Sequence, residues 1–262
     1  STKTVANEGY DSTPAGVVTR PSTDTKVNLT ATFSKDNEEY TKIYHCTVKA
    51  APNNSDEYVG YLFVHFVGTQ ENADCEQVYF SVSKDGLNWT DLNNNTPVLT
   101  STIGESGLRD MYIARTNEGD KFYMISTDLS IYHYGSWSEA GSNGSHSIVV
   151  WESDDLVNWS KPWLAEISDE NAGCTWAPEF IYDDKTGEYI VYWASTTLEV
   201  DADENITQEY ENHTIYYSKT RDFVHFTDPK VYHEGGRDSS GKIIKVIDST
   251  MIKGNDGKYY RY

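Results

Sequence analysis

One segment type occurs three times in this chain, and its spacing constrains the fold more than any other feature. The three copies are VYFSVSKDGLNW (78–89), IVVWESDDLVNW (148–159) and IYYSKTRDFVHF (215–226). Their aligned aspartates follow one another at intervals of 70 and 67 residues and are Asp85, Asp155 and Asp222. A β-rich unit with this period is typical of one four-stranded sheet, or blade, of a β-propeller.

A second repeated segment lies between the copies of the first. It is found as RDMYIARTNEGDKFYMIST, APEFIYDDKTGEYIVYWAS and IDSTMIKGNDGKYYRY, with turn glycines at Gly119, Gly187 and Gly257. Each copy predicts two strands joined by a tight turn, because β-branched and aromatic residues flank the glycine. In a propeller the first strand of each blade lines the central axis, so polar residues at its start are the candidate site residues. No stretch has a sustained 3.6-residue period, which predicts few and short helices.

The repeat divides the chain into a polar segment and a propeller domain. Residues 1–30 are predicted to be a tail or an extended wrapping segment, because they are rich in Ser, Thr, Pro and Gly. Residues 31–262 are predicted to form an all-β, incomplete propeller of about three and a half blades, at about 40–100, 109–165, 177–232 and from Ile247 to Tyr262. An open sheet edge exposes unpaired backbone groups. We therefore expect the chain to be a fragment, or an additional chain or segment to complete the ring.

The charge of the chain limits its partners. It has 21 Lys and Arg against 41 Asp and Glu, a net charge of −20, and such a surface repels nucleic-acid backbones and anionic lipid. No apolar run approaches the roughly 18 residues of a membrane-spanning helix. We therefore expect neither nucleic acid nor a membrane as a partner, whereas a neutral, hydroxyl-rich glycan is compatible with this charge.

Two features favour a secreted or extracellular protein. No signal peptide is recognisable, and the chain begins at a polar Ser1-Thr2-Lys3, as a mature secreted protein or a trimmed one would. Chance would give roughly three Asn-X-Ser/Thr sequons, but eight are present, at Asn28, Asn53, Asn88, Asn94, Asn143, Asn158, Asn205 and Asn212. The excess favours a glycoprotein, although sequons within a repeated hairpin also occur in unglycosylated bacterial proteins. The three cysteines predict no disulfide framework.

Three segments and two hairpins of the chain resemble glycoside hydrolase family 43. The segments are Arg109-Asp110-Met111-Tyr112-Ile113, Thr175-Trp176-Ala177-Pro178-Glu179 and Val246-Ile247-Asp248-Ser249, and the hairpins end in Asn88-Trp89 and Asn158-Trp159. The resemblance covers residues from about 58 to 262. It implies a five-bladed β-propeller that cleaves arabinofuranosyl or xylosyl bonds with inversion, and it favours the arabinofuranosidase-like branches. The implied partner is a plant cell-wall polysaccharide or oligosaccharide.

The resemblance also implies roles for particular carboxyl groups. Asp110 matches the general base of the family, and Asp248 matches the second aspartate, which orients the general acid and tunes its pKa. The general acid itself, a glutamate, would open the next blade, beyond Tyr262. The family usually has proline after the first aspartate, where this chain has Met111, but proline is not chemically required. Inverting hydrolysis independently requires two carboxyl groups roughly 6.5–9.5 Å apart, with a water between them.

Each candidate residue also has a structural interpretation. The structural alternative for Asp110 is a turn cap or a salt bridge with Arg109, although its place at the start of a repeated strand favours a site role. The alternative for Asp248 is a turn cap before Ser249. Arg109 either contacts a substrate hydroxyl or neutralises Asp110. Trp176 either belongs to the core or stacks under a sugar, and Glu179 either contacts substrate or hydrogen-bonds between blades. The sequence indicates no metal or cofactor and leaves a structural calcium ion in the axial channel open. Because the expected acid is missing, the competing function is a non-catalytic glycan-binding or self-assembling propeller fragment.

Overall fold

The structure, a computed structural model, consists of two compact units. It describes residues 18–51, 58–200, 206–208, 213–242 and 244–262. The first unit comprises Ser1–Asp56 with Thr116–Asp120, and the second comprises Glu57–Arg115 with Lys121–Tyr262. The described regular structure is almost entirely antiparallel sheet, which confirms the all-β prediction. Within the described residues, no helix has the length and apolar character needed to span a membrane.

The first unit contains a long two-stranded hairpin. Strand β1 (Thr25–Lys35) pairs with β2 (Glu38–Val48) in an unbroken antiparallel register. The turn residues Asp36 and Asn37 both have positive φ, which is the conformation of the two-residue turns that match the twist of paired strands. The predicted domain boundary between residues 30 and 31 is therefore wrong, because β1 runs through it. Residues 1–17 of the predicted tail lie outside the described residues.

The first sheet of the second unit has three strands instead of the expected four. They are β3 (Tyr61–His65), β4 (Tyr79–Ser83) and β5 (Thr90–Asp91). The segment at 38–48, expected to begin this sheet, pairs with β1 in the hairpin instead. The first predicted blade therefore starts about twenty residues later than its sequence suggested.

Two four-stranded sheets follow, as the repeat predicts. The second sheet contains β6 (Leu108–Arg115), β7 (Phe122–Asp128), β8 (Ser147–Ser153) and β9 (Trp163–Glu166), with helices α1 (Ile131–Tyr134) and α2 (Trp137–Ala140) between β7 and β8. The third contains β10 (Trp176–Asp183), β11 (Glu188–Thr196), β14 (His213–Thr220) and β15 (Lys230–His233), with the short pair β12 (Glu199–Val200) and β13 (Ile206–Gln208) after β11. The fourth sheet is the pair β16 (Met251–Lys253) and β17 (Tyr259–Arg261).

Consecutive sheets of the second unit pack face to face through apolar side chains. Strand β8 buries both faces: Val149 and Trp151 join the cluster with the first sheet, whereas Ile148 and Val150 join the cluster with the third. A strand covered on both sides needs a continuous apolar run, which explains its sequence IVVW. The third and fourth sheets share a smaller cluster that includes Tyr192 and Met251. The number of blades and the closure of a ring stay predictions.

The repeated aspartates occupy the same turn in three sheets. At Asp155, Oδ1 accepts hydrogen bonds from the Val157 and Asn158 N–H groups at 2.9 and 2.7 Å, and Oδ2 accepts one from Asn158 Nδ2 at 2.8 Å. Asp85 and Asp222 make the same contacts, except that a histidine ring replaces the asparagine amide in the third copy. The hydrogen bonds from Asn158 and Val157 lower the pKa of Asp155 to about 2.

This turn predicts a specific dependence of stability on pH. Because the folded-state pKa of Asp155 lies below its ordinary 3.8, its stabilising contribution is present above about pH 4 and is lost as the pH falls through about 2. Asp155→Asn should therefore lower the thermal unfolding midpoint by a few degrees at pH 6–7, and the difference from the wild type should shrink toward pH 2.

Thermal unfolding followed by circular dichroism between pH 2 and 7 measures this effect. Asp154→Asn is the matched control, because it removes an exposed carboxylate from the neighbouring position of the same turn and should leave the midpoint nearly unchanged. A midpoint difference for Asp155→Asn that stays constant across this pH range would contradict the assignment.

Candidate active site

Three residues at equivalent points of the repeat share a left-handed backbone conformation. Asp110, Ala177 and Asp248 have φ values of 51°, 48° and 57°, which are uncommon for residues other than glycine. In the second and third sheets this position coincides with a break in register, between Arg109 and Tyr112 and between Trp176 and Glu179. Such bulges change the direction of a side chain at the end of a strand. The sequence equivalence of these positions is therefore matched by their backbone geometry.

Asp110 is held at the boundary between the second and third sheets. Thr127 Oγ1 donates a hydrogen bond to Asp110 Oδ2 at 3.0 Å and accepts one from the Ala177 N–H at 2.8 Å. Burial raises the pKa of Asp110, the Thr127 hydrogen bond and the Arg109 charge lower it, and the charge of Asp248 raises it. Asp110 is half-buried and Asp248 is exposed. Their catalytic roles stay predictions.

Arg109 is buried in a stack of charged and aromatic groups. Its Nη1 donates to Glu76 Oε1 at 2.7 Å, and its guanidinium lies 4.6 Å from the Phe66 ring centroid and 4.9 Å from that of Trp137. Of its two predicted roles, neutralising Asp110 has an observation behind it, because its charge lowers the pKa of that carboxyl. Contact with substrate stays a prediction.

Glu76 is a site-supporting residue that the sequence did not single out. Its fully buried carboxylate accepts hydrogen bonds from Arg109, from Ser130 Oγ at 2.8 Å, and from the Ile131 and Tyr132 N–H groups at 2.9 and 3.0 Å. It therefore satisfies the free N–H groups at the start of α1 while fixing Arg109. Its partners lie 33 to 56 residues away, so no local pattern could have revealed this role.

Trp176 stands between the core and the site. It is half-buried and packs on a small apolar cluster of Leu129, Ile131 and Ala140. Its ring centroid lies 6.1 Å from that of Trp137, nearly perpendicular at 85°, and 5.3 Å from that of His213. Burial and the charge of Lys245 lower the pKa of His213 to about 4, so this imidazole is neutral near pH 7. Both interpretations of Trp176, core residue and sugar platform, agree with its position.

Glu179 is connected to the fourth sheet through the hydroxyl group of Tyr192. Its Oε2 accepts a hydrogen bond from the Tyr192 hydroxyl at 2.6 Å, and that hydroxyl accepts the Met251 N–H at 3.0 Å. Burial, together with this hydrogen bond and the Glu179 charge, raises the pKa of Tyr192. The hydrogen bond of Glu179 itself stays within the third sheet, where Tyr192 is its cross-strand partner. The bond that reaches the next repeated unit is made by Tyr192, which fixes Met251, three residues after Asp248. A hydrogen bond of Glu179 between blades and a substrate contact of Glu179 both stay predictions.

Among the described residues, no group of three or more His, Cys, Asp or Glu side chains is arranged to hold a metal ion. Around the candidate carboxyl groups Asp110 and Asp248, the structure places an arginine and two tryptophan rings. Paired carboxyl groups of unequal burial are suited to acid–base chemistry, because their environments separate their tendencies to ionise.

Comparison with known proteins identifies the family to which this arrangement belongs. A family model described as "Probable glycosyl hydrolase domain", of the glycosyl hydrolase 43-related type, matches residues 56–262. The chain belongs to this family. The resemblance predicted from the segments around Asp110, Trp176 and Asp248 is thereby confirmed.

A curated relative aligns with almost the whole chain. An alpha-L-arabinofuranosidase of Bifidobacterium longum subsp. longum is 35% identical to this glycosyl hydrolase 43-related chain over 265 residues, which cover 95% of the chain. The aligned part is 24% of that relative, so the chain spans about a quarter of the relative's length.

Two solved structures share the fold at low sequence identity. The GH32 beta-fructofuranosidase of Bombyx mori is 19% identical, with a TM-score of 0.53, and the match covers 90% of this chain and 51% of that one. An N-acetylgalactosamine deacetylase from F. plautii, in complex with blood group B trisaccharide, is 15% identical, with a TM-score of 0.50 and coverage of 77% and 57%. At these identities the likeness concerns the fold alone.

The effect of the Asp248 charge on Asp110 predicts how a substitution of Asp248 changes the pKa of Asp110. Asp248→Asn removes a negative charge that raises the pKa of Asp110, so the pKa of Asp110 should fall. Carboxyl ¹³C NMR of aspartate-labelled protein measures it, with the Asp110 resonance assigned by its loss in Asp110→Asn. Asp256→Asn, which removes an exposed carboxylate from the turn of the fourth sheet, is the control and should leave the Asp110 pKa unchanged. An unchanged pKa in Asp248→Asn would refute the coupling.

Proposed function

We propose that this domain belongs to an inverting glycoside hydrolase that cleaves arabinofuranosyl or xylosyl linkages of plant cell-wall polysaccharide or oligosaccharide. The observation that carries the proposal is the left-handed backbone that Asp110 and Asp248 share at equivalent positions two repeats apart. The charge of Asp248, which raises the pKa of Asp110, supports it. The arabinofuranosidase relative supports the sugar class. We propose the five-bladed propeller as the complete architecture, supported by sheets that pack face to face in sequence order.

In this mechanism Asp110 is the general base. Its pKa is raised by burial and by Asp248, which strengthens it as a proton acceptor once it is ionised, because basicity increases with the pKa of the conjugate acid. Thr127 donates to one of its oxygens at 3.0 Å, which orients the carboxylate so that its other oxygen can accept a proton from a water as that water attacks the anomeric carbon of the sugar. Asp248 is the positioning carboxylate. The resemblance gives the proton donor to a glutamate of the next repeated unit, and we assign that role to no residue of this chain.

The proposed substrate leads us to propose that the protein is secreted. A cell-wall polysaccharide is too large to cross a membrane unaided, so an enzyme that cleaves it works outside the cell. The net charge of −20 supports a soluble protein that does not adhere to anionic surfaces.

The test is turnover of aryl arabinofuranoside and aryl xyloside by the intact protein that contains this domain. Asp110→Asn keeps the size of the side chain and removes the base, so kcat/KM should fall by about 10²- to 10⁴-fold. The substrates carry an activated leaving group such as 4-nitrophenolate, which departs with little protonation, so the assay depends mainly on the base and little on the general acid. Asp120→Asn, a carboxylate of the other compact unit, is the control.

Equal activity of Asp110→Asn and the wild type would remove Asp110 from the mechanism. Binding of arabino- or xylo-oligosaccharides without turnover of either aryl glycoside would favour the competing function, a non-catalytic glycan-binding module.

A further inference from the structure

We propose that Trp137 forms the floor of a second sugar-binding position beside Asp110, so that the domain binds a chain of neutral sugars and not one sugar alone. The inference rests on the proposed function, because it takes the ligand of the site to be a glycan. It concerns a residue on α2 that neither the repeat nor the family motifs include.

The position of Trp137 relates it directly to the candidate carboxyl groups. Its ring contacts the guanidinium of Arg109 at 4.9 Å and the ring of Trp176 at 6.1 Å. Each of these partners immediately precedes a left-handed residue of the site, Asp110 or Ala177. Trp137 therefore lies where the inner strands of the second and third sheets begin, next to the proposed point of cleavage.

The support beneath Trp137 is rigid. The Arg109 guanidinium lies over the Trp137 ring, 4.9 Å from its centroid, and also over the Phe66 ring, 4.6 Å from its centroid. The buried Glu76 carboxylate fixes that guanidinium with a 2.7 Å ion pair and anchors the start of α1. A ring held in this way loses little conformational freedom when a ligand binds, which favours affinity.

Trp137 remains accessible in spite of this support. Its exposed fraction is 49%, and Tyr132 on the neighbouring α1 is 46% exposed. Large aromatic side chains left open beside a polar site are characteristic of recognition surfaces, because they offer apolar area with a polar N–H or O–H at the edge. The apolar C–H face of a sugar ring fits such a surface.

The geometry distinguishes Trp137 from Trp176. The two rings meet at 85°, and one sugar ring cannot lie flat on two perpendicular planes. If Trp176 carries the sugar at the cleavage point, Trp137 therefore carries a different residue of the same chain. The Arg109 guanidinium beneath the ring is already paired with Glu76, so it does not offer an acidic sugar an unpaired partner, and the apolar face of Trp137 suits a neutral sugar.

Binding measurements on the intact protein test this proposal without requiring turnover. All variants carry Asp110→Asn so that no ligand is cleaved, and calorimetry compares L-arabinose with an arabinofuranose trisaccharide, and D-xylose with xylotriose. The background protein should bind one trisaccharide more tightly than its monosaccharide. Trp137→Ala should lower the affinity for that trisaccharide by about tenfold. The affinity for the monosaccharide should stay within about twofold, because only the second position is lost.

Two further variants separate a binding role from a folding defect. Trp137→Phe keeps an aromatic face of smaller area and should weaken the trisaccharide by only about threefold. Trp89→Ala removes a tryptophan of similar exposure, 42%, that packs on Phe63 of the first sheet. This variant should change the affinity for neither ligand. If Trp137→Ala does not fold, the loss of affinity for the trisaccharide alone in Trp137→Phe tests whether the ring contacts the second sugar.

Three results would overturn the proposal. Unchanged trisaccharide affinity in Trp137→Ala and Trp137→Phe would show that the ring makes no ligand contact. Equal losses for monosaccharide and trisaccharide would place Trp137 at a single sugar position. A background protein that binds monosaccharide and trisaccharide equally would exclude a second position and leave the proposed function intact, whereas failure to bind any of the four sugars would overturn both.

Discussion

The burial of sheets on both faces is the constraint on which the rest of this domain depends. Strand β8 shows it most clearly, because its alternate side chains enter two different apolar clusters, one on each side of the second sheet. A sheet covered in this way leaves only its strand ends for polar chemistry. Asp110 accordingly lies near the start of β6, at a left-handed residue where the ladder is interrupted, and Asp248 lies at a left-handed residue shortly before β16.

Polar contacts near the site follow a common pattern. Thr127 joins Asp110 to the backbone of the third sheet, and Tyr192 joins Glu179 to the backbone of the fourth. In each case a hydroxyl group donates to a carboxylate and accepts an N–H group from the next sheet. A hydroxyl can do both at once, so a single side chain fixes the acidic group and the seam between sheets. Displacement of one sheet is thereby coupled to the geometry of the carboxylates.

The sequence predicted those parts of the molecule that repeat. The aspartate turns, the four-stranded second and third sheets, and the equivalence of Asp110, Ala177 and Asp248 all follow from a period that local residues reveal. The hairpin β1–β2 was misplaced, although Val27, Leu29, Ala31 and Phe33 alternate as a strand should. The polar composition around these residues obscures their alternation, which is the signal that locates the strand.

The support of the site could not be predicted in the same way. Glu76 and Arg109 meet across 33 residues, and a buried ion pair has no sequence signature. Helices α1 and α2 have four residues each, too few to show a helical period. The position of Trp137 therefore depends on tertiary contacts that only the folded chain reveals.

The repeated turn also gives a structural role to two asparagines that belong to glycosylation sequons. Asn88 and Asn158 each use the side-chain amide nitrogen to donate to the turn aspartate, at 2.7 and 2.8 Å. That nitrogen is the atom to which an N-linked sugar would be attached. The third copy has His225 at this place and keeps the same contact through a ring nitrogen. Asparagine at these two positions is therefore accounted for by turn chemistry, and an oligosaccharyltransferase would have to compete with an internal carboxylate for its acceptor.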